Sequence, residues 1–167
     1  GVLVVCIGKY TKLVNYLTAL DKEYIAEIKL GIKTDTLDIT GNVLEKNNNY
    51  QIDEEMIRQV FSSLLGDYEE TVPAYSAVKI NGKKLYEYAR NNTQIELPKR
   101  NVYIYSLELL EFHDDIIKFK AKVSKGTYIR SLILDITKKL NCLGTMSKLI
   151  RVKQGNFSIN DGYTIED

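Results

Sequence analysis

Apolar and polar residues follow two different periods along the chain, and these periods predict both strands and helices. Alternation with a period of two indicates strands with one buried face. The strands predicted in this way cover residues 24–30, 102–112 and 116–124, with further short strands from residue 145 on. The second and third would pair as a hairpin that turns at residues 113–115. A nearly continuous apolar run at residues 1–8 predicts another, buried strand.

Apolar residues at every third or fourth position predict amphipathic helices between these strands. The predicted helices cover residues 10–20, 54–65, 83–91 and 129–140. Asp53 is a favoured N-cap residue, and Gly66 is expected directly after the end of that helix. Asn81 and Gly82 form the strongest short turn signal of the chain. Strands interleaved with helices, with hairpins among them, predict an α+β fold with a mixed sheet.

The composition is that of an ordinary folded domain. The chain has 167 residues, 23 basic against 22 acidic side chains, a formal net charge of +1 and 44% hydrophobic residues. It is too apolar for a disordered chain, and one domain over residues 1–167 is expected. No apolar run approaches the roughly 18 residues that span a bilayer, and no secretion signal is visible. We therefore expect a cytoplasmic protein with no membrane partner.

Metal chemistry is not expected, because the residues that bind metals are few and scattered. Cys6 and Cys142 lie far apart, and His113 is the only histidine. These residues do not have the spacing of a closed zinc site. The near-neutral total charge leaves a nucleic-acid partner open, because the local placement of charge decides such binding.

The first candidate for chemistry is the strand-to-helix junction at residues 124–130. Gly126 permits a positive φ or a close approach of backbone. Arg130 falls in the first turn of the predicted helix, where the helix dipole disfavours a cation. A buried carboxylate or an RNA phosphate would hold the guanidinium there, because a guanidinium binds either in a fork. The alternative is a solvated surface arginine.

A second candidate is the basic and aromatic segment at residues 79–90. Its cations and rings are Lys83, Lys84, Tyr86, Tyr88 and Arg90. RNA suits such a segment, because phosphates require cations and unstacked bases require flat faces. The alternative is an ordinary hairpin with a solvated run of charges.

The aspartates form no recognisable pair of nucleophile and base. Asp35 and Asp38 have the spacing of a polar loop with Asx turns. Asp135 is off the best pairing distance from Arg130 along the predicted helix. No glycine-rich motif for phosphate binding is present.

Four segments stand out by their order and spacing: residues 31–41, 73–79, 82–90 and 124–132. Together they resemble the bacterial TruB-type tRNA pseudouridine synthases, and Leu149, Arg151, Gly155 and Phe157 fit that family near the end of its catalytic domain. The enzymes of this family isomerise the T-loop uridine at tRNA position 55 to pseudouridine. The resemblance covers almost the entire chain, and it implies an α+β fold with a mixed, largely antiparallel sheet and flanking helices.

The resemblance also implies roles for individual residues. Tyr24, Tyr128 and Leu149 would line the uridine pocket. Arg130 would pair with the catalytic aspartate, and Asp38 would support the active-site cleft. Contacts with RNA are implied for four basic residues: Lys83, Lys84, Lys125 and Arg151. The implied partner is the T-stem-loop of tRNA, bound by a monomer without a metal or an organic cofactor.

The nucleophilic aspartate of the family is the main departure from the pattern. It is expected just before the segment that begins at Gly1, and the histidine of the pocket and the C-terminal RNA-binding domain are expected outside the chain as well. We therefore expect the 167-residue chain by itself to be inactive. Two further hypotheses stay open: a non-catalytic RNA-binding or RNA-folding protein on the same scaffold, and a hydrolase that uses Asp35 and Asp38.

Overall fold

A computed structural model describes residues 1–164, which form an α+β fold, as predicted. In chain order its strands are β1 (Lys22–Leu30), β2 (Ile32–Thr34), β3 (Val43–Lys46), β4 (Gly66–Thr71), β5 (Lys79–Ile80), β6 (Lys83–Lys84), β7 (Lys99–His113), β8 (Ile116–Val123), β9 (Gly144–Gln154) and β10 (Phe157–Ser158). Its helices are α1 (Val14–Thr18), α2 (Glu54–Ser63), α3 (Leu85–Arg90) and α4 (Ile129–Lys139), with short 3-10 helices at Gly8–Leu13 and Ile159–Asp161.

Six of the strands form one sheet in the order β10-β9-β1-β8-β7-β4. Every neighbouring pair in this sheet is antiparallel. β2 with β3 and β5 with β6 form separate two-stranded hairpins. Within residues 1–164, parallel pairing is limited to a single bridge between Asp38 and Met146. The sheet is therefore largely antiparallel, as the family resemblance implied.

The predicted alternation of β8 separates a buried face of the sheet from a solvated one. Its inward side chains are Ile117, Phe119, Ala121 and Val123, which are fully buried. α2 and α4 cover this inner face, where the rings of Phe119 and Phe61 lie 5.4 Å apart at an angle of 55°. On the outer face Lys120 forms an ion pair of 3.1 Å with Glu23. Burial of the apolar face is what holds the two helices against the sheet.

Two local signals in the sequence are confirmed. The Asp53 carboxylate accepts a hydrogen bond from the Met56 N–H at 2.8 Å and caps the first turn of α2. Asn81 (φ +50°) and Gly82 (φ +81°) form the turn between β5 and β6. Both central residues have positive φ, as a type I′ turn requires. Gly66 also has a positive φ of +93°, but it opens β4 and does not directly follow the helix.

The prediction of a buried strand at residues 1–8 is wrong. The side chains of Leu3, Val5 and Ile7 are 75%, 70% and 78% exposed. The Val2 N–H donates to the Arg151 carbonyl of β9 at 2.7 Å, and the run then leaves the sheet. An apolar run becomes a buried strand only where a sheet edge pairs with its whole length. The helix predicted at residues 10–20 is likewise shorter, because its apolar side chains pack against little.

Candidate functional site

Arg130 is the second residue of α4, and backbone carbonyls from two distant segments hold its half-buried guanidinium. Nη1 donates to the carbonyl of Thr36 at 3.1 Å, and Nη2 donates to the carbonyl of Tyr75 at 3.0 Å. Burial lowers the pKa of Arg130, whereas the nearby Asp38 carboxylate and the Tyr128 phenol act in the opposite direction. The guanidinium remains cationic because its ordinary pKa is above about 12.

The hydrogen bonds of Arg130 leave part of the guanidinium available for an anion. A guanidinium has five N–H groups, of which two donate to carbonyls here. The other three have no hydrogen-bond partner within residues 1–164. Neutral carbonyls do not cancel the positive charge. A half-buried cation with free donors is a favourable place for a carboxylate or a phosphate.

Tyr128 is the N-cap residue of α4, and Arg100 of β7 holds it in place. The Arg100 guanidinium lies 5.3 Å from the centre of the Tyr128 ring. Its Nη1 also donates to the Gly126 carbonyl at 3.3 Å. Such cation–π contacts fix the position of a ring as well as stabilising it. The sequence did not point to Arg100, because no local pattern links the start of β7 with residues 126–128.

Glu70 of β4 is a fully buried carboxylate at the N-terminus of α4. Both of its oxygens accept from the Tyr128 N–H at 3.1 Å. Burial raises the pKa of Glu70 to about 7. The hydrogen bond from the Tyr128 N–H and the charge of Arg100 act to lower this pKa, and the charge of Asp135 acts to raise it. Burial raises the pKa of the Tyr68 phenol, which lies near enough to Glu70 for the Glu70 charge to raise that pKa further. Sequence analysis missed Glu70, although a charged residue at an inward position of a strand is a usable signal.

Glu70 makes the stability of the fold depend on pH. A carboxyl pKa that rises from 4.5 to about 7 on folding stabilises the folded protein below pH 4.5, and this stabilisation is lost as the pH rises to about 7. The loss is expected to reach at most about 3 kcal/mol. Glu70→Gln removes this contribution. Urea unfolding of both proteins at about pH 5 and about pH 8 should therefore show a larger decrease for the wild type; equal decreases would contradict the expectation.

Tyr24 and Leu149 lie on the inner face of the sheet, where β1 and β9 pair. Ala26 is opposite Leu149, and Tyr24 is opposite Arg151. Directly opposed residues share a face, and so do residues two positions apart on one strand. The fully buried Ala26 therefore places all of these side chains on the inner face. Leu149 is nevertheless 39% exposed and Tyr24 is half-buried, so this part of the inner face is open.

The polar loop at residues 34–41 connects this open face with Arg130. The Thr36 carbonyl accepts from Arg130, and the carbonyl of the next residue, Leu37, accepts from the Met146 N–H at 3.2 Å. Met146 precedes Leu149 by three residues on β9. Leu37 has a φ of +61°, a strained conformation for a branched side chain. This loop therefore contacts both the Arg130 guanidinium and β9, the strand that carries the predicted pocket residue Leu149.

The aspartates of the loop make short-range hydrogen bonds. Asp38 Oδ1 accepts from the Thr40 N–H at 2.9 Å and from the Thr40 hydroxyl at 2.6 Å. Asp35 accepts from the Asn42 N–H at 2.9 Å and from the Asn42 side chain at 3.0 Å. The Asp38 bonds reach two residues ahead, as in the Asx turns that the sequence favoured, whereas Asp35 reaches seven residues ahead and joins the two ends of the loop. Each carboxylate thus shapes the loop that carries the Thr36 carbonyl.

Asp135 of α4 does not pair with Arg130. It accepts a hydrogen bond from the Tyr68 phenol and forms an ion pair of 3.5 Å with Lys138. It also lines a cavity of about 340 Å³, together with the Thr36 and Tyr75 residues that hold Arg130. The Tyr68–Asp135 bond ties α4 to β4 and fixes the helix on the sheet.

The predicted RNA-contact lysines divide into two groups. Lys83 is exposed at the β5–β6 turn, and Lys84 lies next to it. Lys84 Nζ and the Arg90 guanidinium lie 5.5 Å and 5.1 Å from the centre of the Tyr86 ring. One aromatic ring with two neighbouring cations forms a surface of the kind that binds nucleic acid.

The second basic group includes Arg151, which is opposite Tyr24 on the open part of the inner face. Lys125 is exposed, and Arg151 Nε donates to the Val2 carbonyl at 2.8 Å. Burial and the charge of Arg151 lower the pKa of Lys22, Asp21 acts in the opposite direction, and Lys125 lowers it further. Lys22 is therefore a third cation of this group, and sequence analysis missed it because the three residues come from different strands and loops.

Within residues 1–164, no three His, Cys, Asp or Glu side chains are grouped so that they could hold a metal ion. None of the described helices has the length and hydrophobicity needed to cross a membrane.

Two solved structures are similar to this chain in fold. The chain is similar to a chain in the crystal structure of a Cbf5-Nop10-Gar1 complex, with a TM-score of 0.66 and 27% identity over 92% of this chain and 36% of that chain. A structure of an H/ACA RNP bound to a substrate RNA containing 2'-deoxyuridine is similar in fold, with a TM-score of 0.61 and 24% identity over 92% and 34% of the two chains. Both likenesses extend over 92% of this chain and show that the fold is shared.

The family model of TruB family pseudouridylate synthases (N-terminal domain) matches residues 1–129. The chain belongs to this family. It is 44% identical over 167 residues to tRNA pseudouridine synthase B of Francisella tularensis subsp. tularensis (strain WY96-3418), covering 99% of this chain and 55% of that protein. The Francisella philomiragia protein of the same name is 45% identical over 168 residues, with 100% and 56% covered. The chain spans about half the length of these curated relatives.

Proposed function

We propose that the protein containing this chain isomerises a uridine of tRNA to pseudouridine, and that the target is the T-loop uridine at position 55. Family membership and the names of the curated relatives support the reaction class. The observation that carries the proposal is the half-buried Arg130, whose guanidinium is held by the Thr36 and Tyr75 carbonyls and keeps three N–H groups free within residues 1–164. We further propose that the protein acts as a monomer in the cytoplasm.

The open inner face suits a base that has been turned out of its RNA stack. Extruding a base costs a few kcal/mol, and contacts with flat and apolar side chains offset this cost. Tyr24, Tyr128 and Leu149 supply such contacts in the proposed pocket. Arg100 holds the Tyr128 ring from one side, so the ring is oriented before RNA binds.

Arg130 is proposed to bind the carboxylate of the aspartate nucleophile that the family resemblance implies. A neighbouring cation keeps a carboxylate ionised and oriented. The bond between C1′ of the ribose and N1 of uracil then breaks, the uracil rotates, and C1′ is joined to C5. N1 gains a proton and C5 loses one, so the reaction is balanced without a co-reactant. Asp38 supports this site by shaping the loop that carries the Thr36 carbonyl.

Release of tritium tests this function directly. The substrate is a T-stem-loop RNA labelled with [5-³H]uridine, and the control RNA has cytidine at the target position. Joining C5 to the sugar releases the tritium to water, and carbodiimide modification followed by primer extension locates the product. Release at the target position supports the proposal. Tight RNA binding without release would contradict it and favour the RNA-binding or RNA-folding alternative.

The first basic group predicts a salt-dependent loss of RNA affinity. Lys83→Gln with Lys84→Gln is expected to weaken T-stem-loop binding and to reduce the slope of log K against log salt by about 1 to 2, because each phosphate contact releases counterions. Fluorescence anisotropy at several salt concentrations measures both effects. The matched control is Lys118→Gln with Lys120→Gln, because Glu111 and Glu23 already pair with these lysines. Equal slopes in the two double variants would refute an RNA contact at the turn.

A further inference from the structure

We propose that Glu70 is a positioning residue for the reaction, which holds Tyr128 and the start of α4, and thereby Arg130, in the geometry that the pocket requires. This inference rests on the proposed function. Glu70 is not placed to touch the RNA, because its side chain is fully buried under the first turn of α4.

A positioning role for Glu70 requires that the N-terminus of α4 depends on a hydrogen-bond acceptor from outside the helix. The first N–H groups of a helix have no intrahelical acceptor. Tyr128, the N-cap residue, provides no side-chain cap of its own. Both oxygens of Glu70 accept from the Tyr128 N–H at 3.1 Å. The Ser131 hydroxyl adds a second link, because it donates to the Thr71 carbonyl at 2.6 Å. The end of β4 therefore sets where α4 begins.

The second requirement is that the same junction holds the aromatic ring. Arg100 is directly opposite Glu70 in the pairing of β4 with β7. Its guanidinium contacts the Tyr128 ring and the Gly126 carbonyl, while Glu70 binds the Tyr128 backbone. The two charged residues thus hold the 126–128 turn from two sides. Glu70 provides backbone position, and Arg100 provides ring orientation.

The consequence for the reaction follows from the spacing along the chain. Arg130 comes two residues after Tyr128, within the same first turn of α4. A shift of the turn therefore moves the guanidinium and the ring together. A misplacement of about 1 Å in a catalytic group can reduce a rate by about 10²-fold. Loss of the Glu70 contact should accordingly affect the chemical step more than the binding of RNA.

The test compares Glu70→Ala, Glu70→Gln and the control Glu69→Gln in the protein that contains this chain. Glu69 is the neighbouring residue, but it is exposed and paired with Lys99 at 2.9 Å. Glu70→Ala is expected to lower kcat for tritium release by about 10- to 100-fold with KM for RNA changed less than about threefold. Glu70→Gln keeps an oxygen acceptor for the Tyr128 N–H, so its kcat should return to within about threefold of the wild type. Glu69→Gln should match the wild type.

The outcomes separate this inference from the proposed function. If the wild type releases no tritium, the proposed function fails, and this inference fails with it. If the wild type is active and a folded Glu70→Ala variant keeps its kcat, only this inference is overturned. If Glu70→Ala does not fold, Glu70→Leu decides, because leucine fills the space but offers no acceptor to the Tyr128 N–H: a kcat lowered more than about threefold at similar KM supports the positioning role, and a kcat within about threefold of the wild type overturns it.

Discussion

Replacing Arg130 with lysine is expected to lower kcat for pseudouridine formation by about 10²- to 10³-fold, with a much smaller change in KM for RNA. The reason is the number and geometry of the donors. The guanidinium donates to the Thr36 and Tyr75 carbonyls and, among the described residues, keeps three free N–H groups, which we propose bind the nucleophile. A lysine ammonium has three donors, so the same two carbonyls would leave it only one. It also lacks the planar fork that matches a carboxylate.

Tritium release at saturating T-stem-loop RNA measures the effect of Arg130→Lys, and a thermal unfolding curve shows whether the variant is folded. Arg58→Lys is the matched control. Arg58 lies on the exposed side of α2, where it pairs with Glu54 at 3.1 Å. This control should retain wild-type kcat. A folded Arg130→Lys variant with a kcat within about threefold of the wild type would show that the guanidinium does not act on the reaction.

Replacing Phe119 with alanine is expected to lower the free energy of unfolding by about 3–5 kcal/mol. Phe119 is fully buried in β8, a central strand of the sheet, and the centre of its ring lies 5.4 Å from the centre of the Phe61 ring of α2. Alanine would leave a cavity between the sheet and α2, and close-packed neighbours fill such a cavity only in part. The loss would weaken the face that also carries α4 and therefore Arg130.

Urea unfolding at constant pH measures the effect of Phe119→Ala. The control is Leu110→Ala on β7, because the Leu110 side chain is 38% exposed. Its free energy of unfolding should differ from the wild type by about 0.5 kcal/mol or less. A Phe119→Ala effect as small as that of the control would show that the contact between α2 and the sheet contributes little to stability.

Local features of the fold followed from the sequence because their determinants are neighbours along the chain. The Asp53 cap acts three residues ahead, and the Asn81–Gly82 turn depends on two adjacent residues. The alternation of apolar and polar residues in β8 indicates which side of the strand is buried, whichever strands pair with it. The run at residues 1–8 shows the limit of this reasoning. Hydrophobicity indicates that a segment can pair, but not how much of it a sheet edge takes up: the Val2 N–H bonds to β9, and the rest of the run forms no strand.

The sequence by itself determined the fold class, most of the helices and strands, and the resemblance that singled out Arg130, Tyr128, Tyr24 and Leu149. Only the tertiary structure showed what holds Arg130. Its partners are backbone carbonyls 94 and 55 residues away. Because every residue has a backbone carbonyl, the sequence does not indicate which carbonyls will bind a side chain. Glu70 and Arg100 were likewise found only in three dimensions. Their roles arise from strand pairing and from burial under α4, which are properties of the packed chain and not of any one segment.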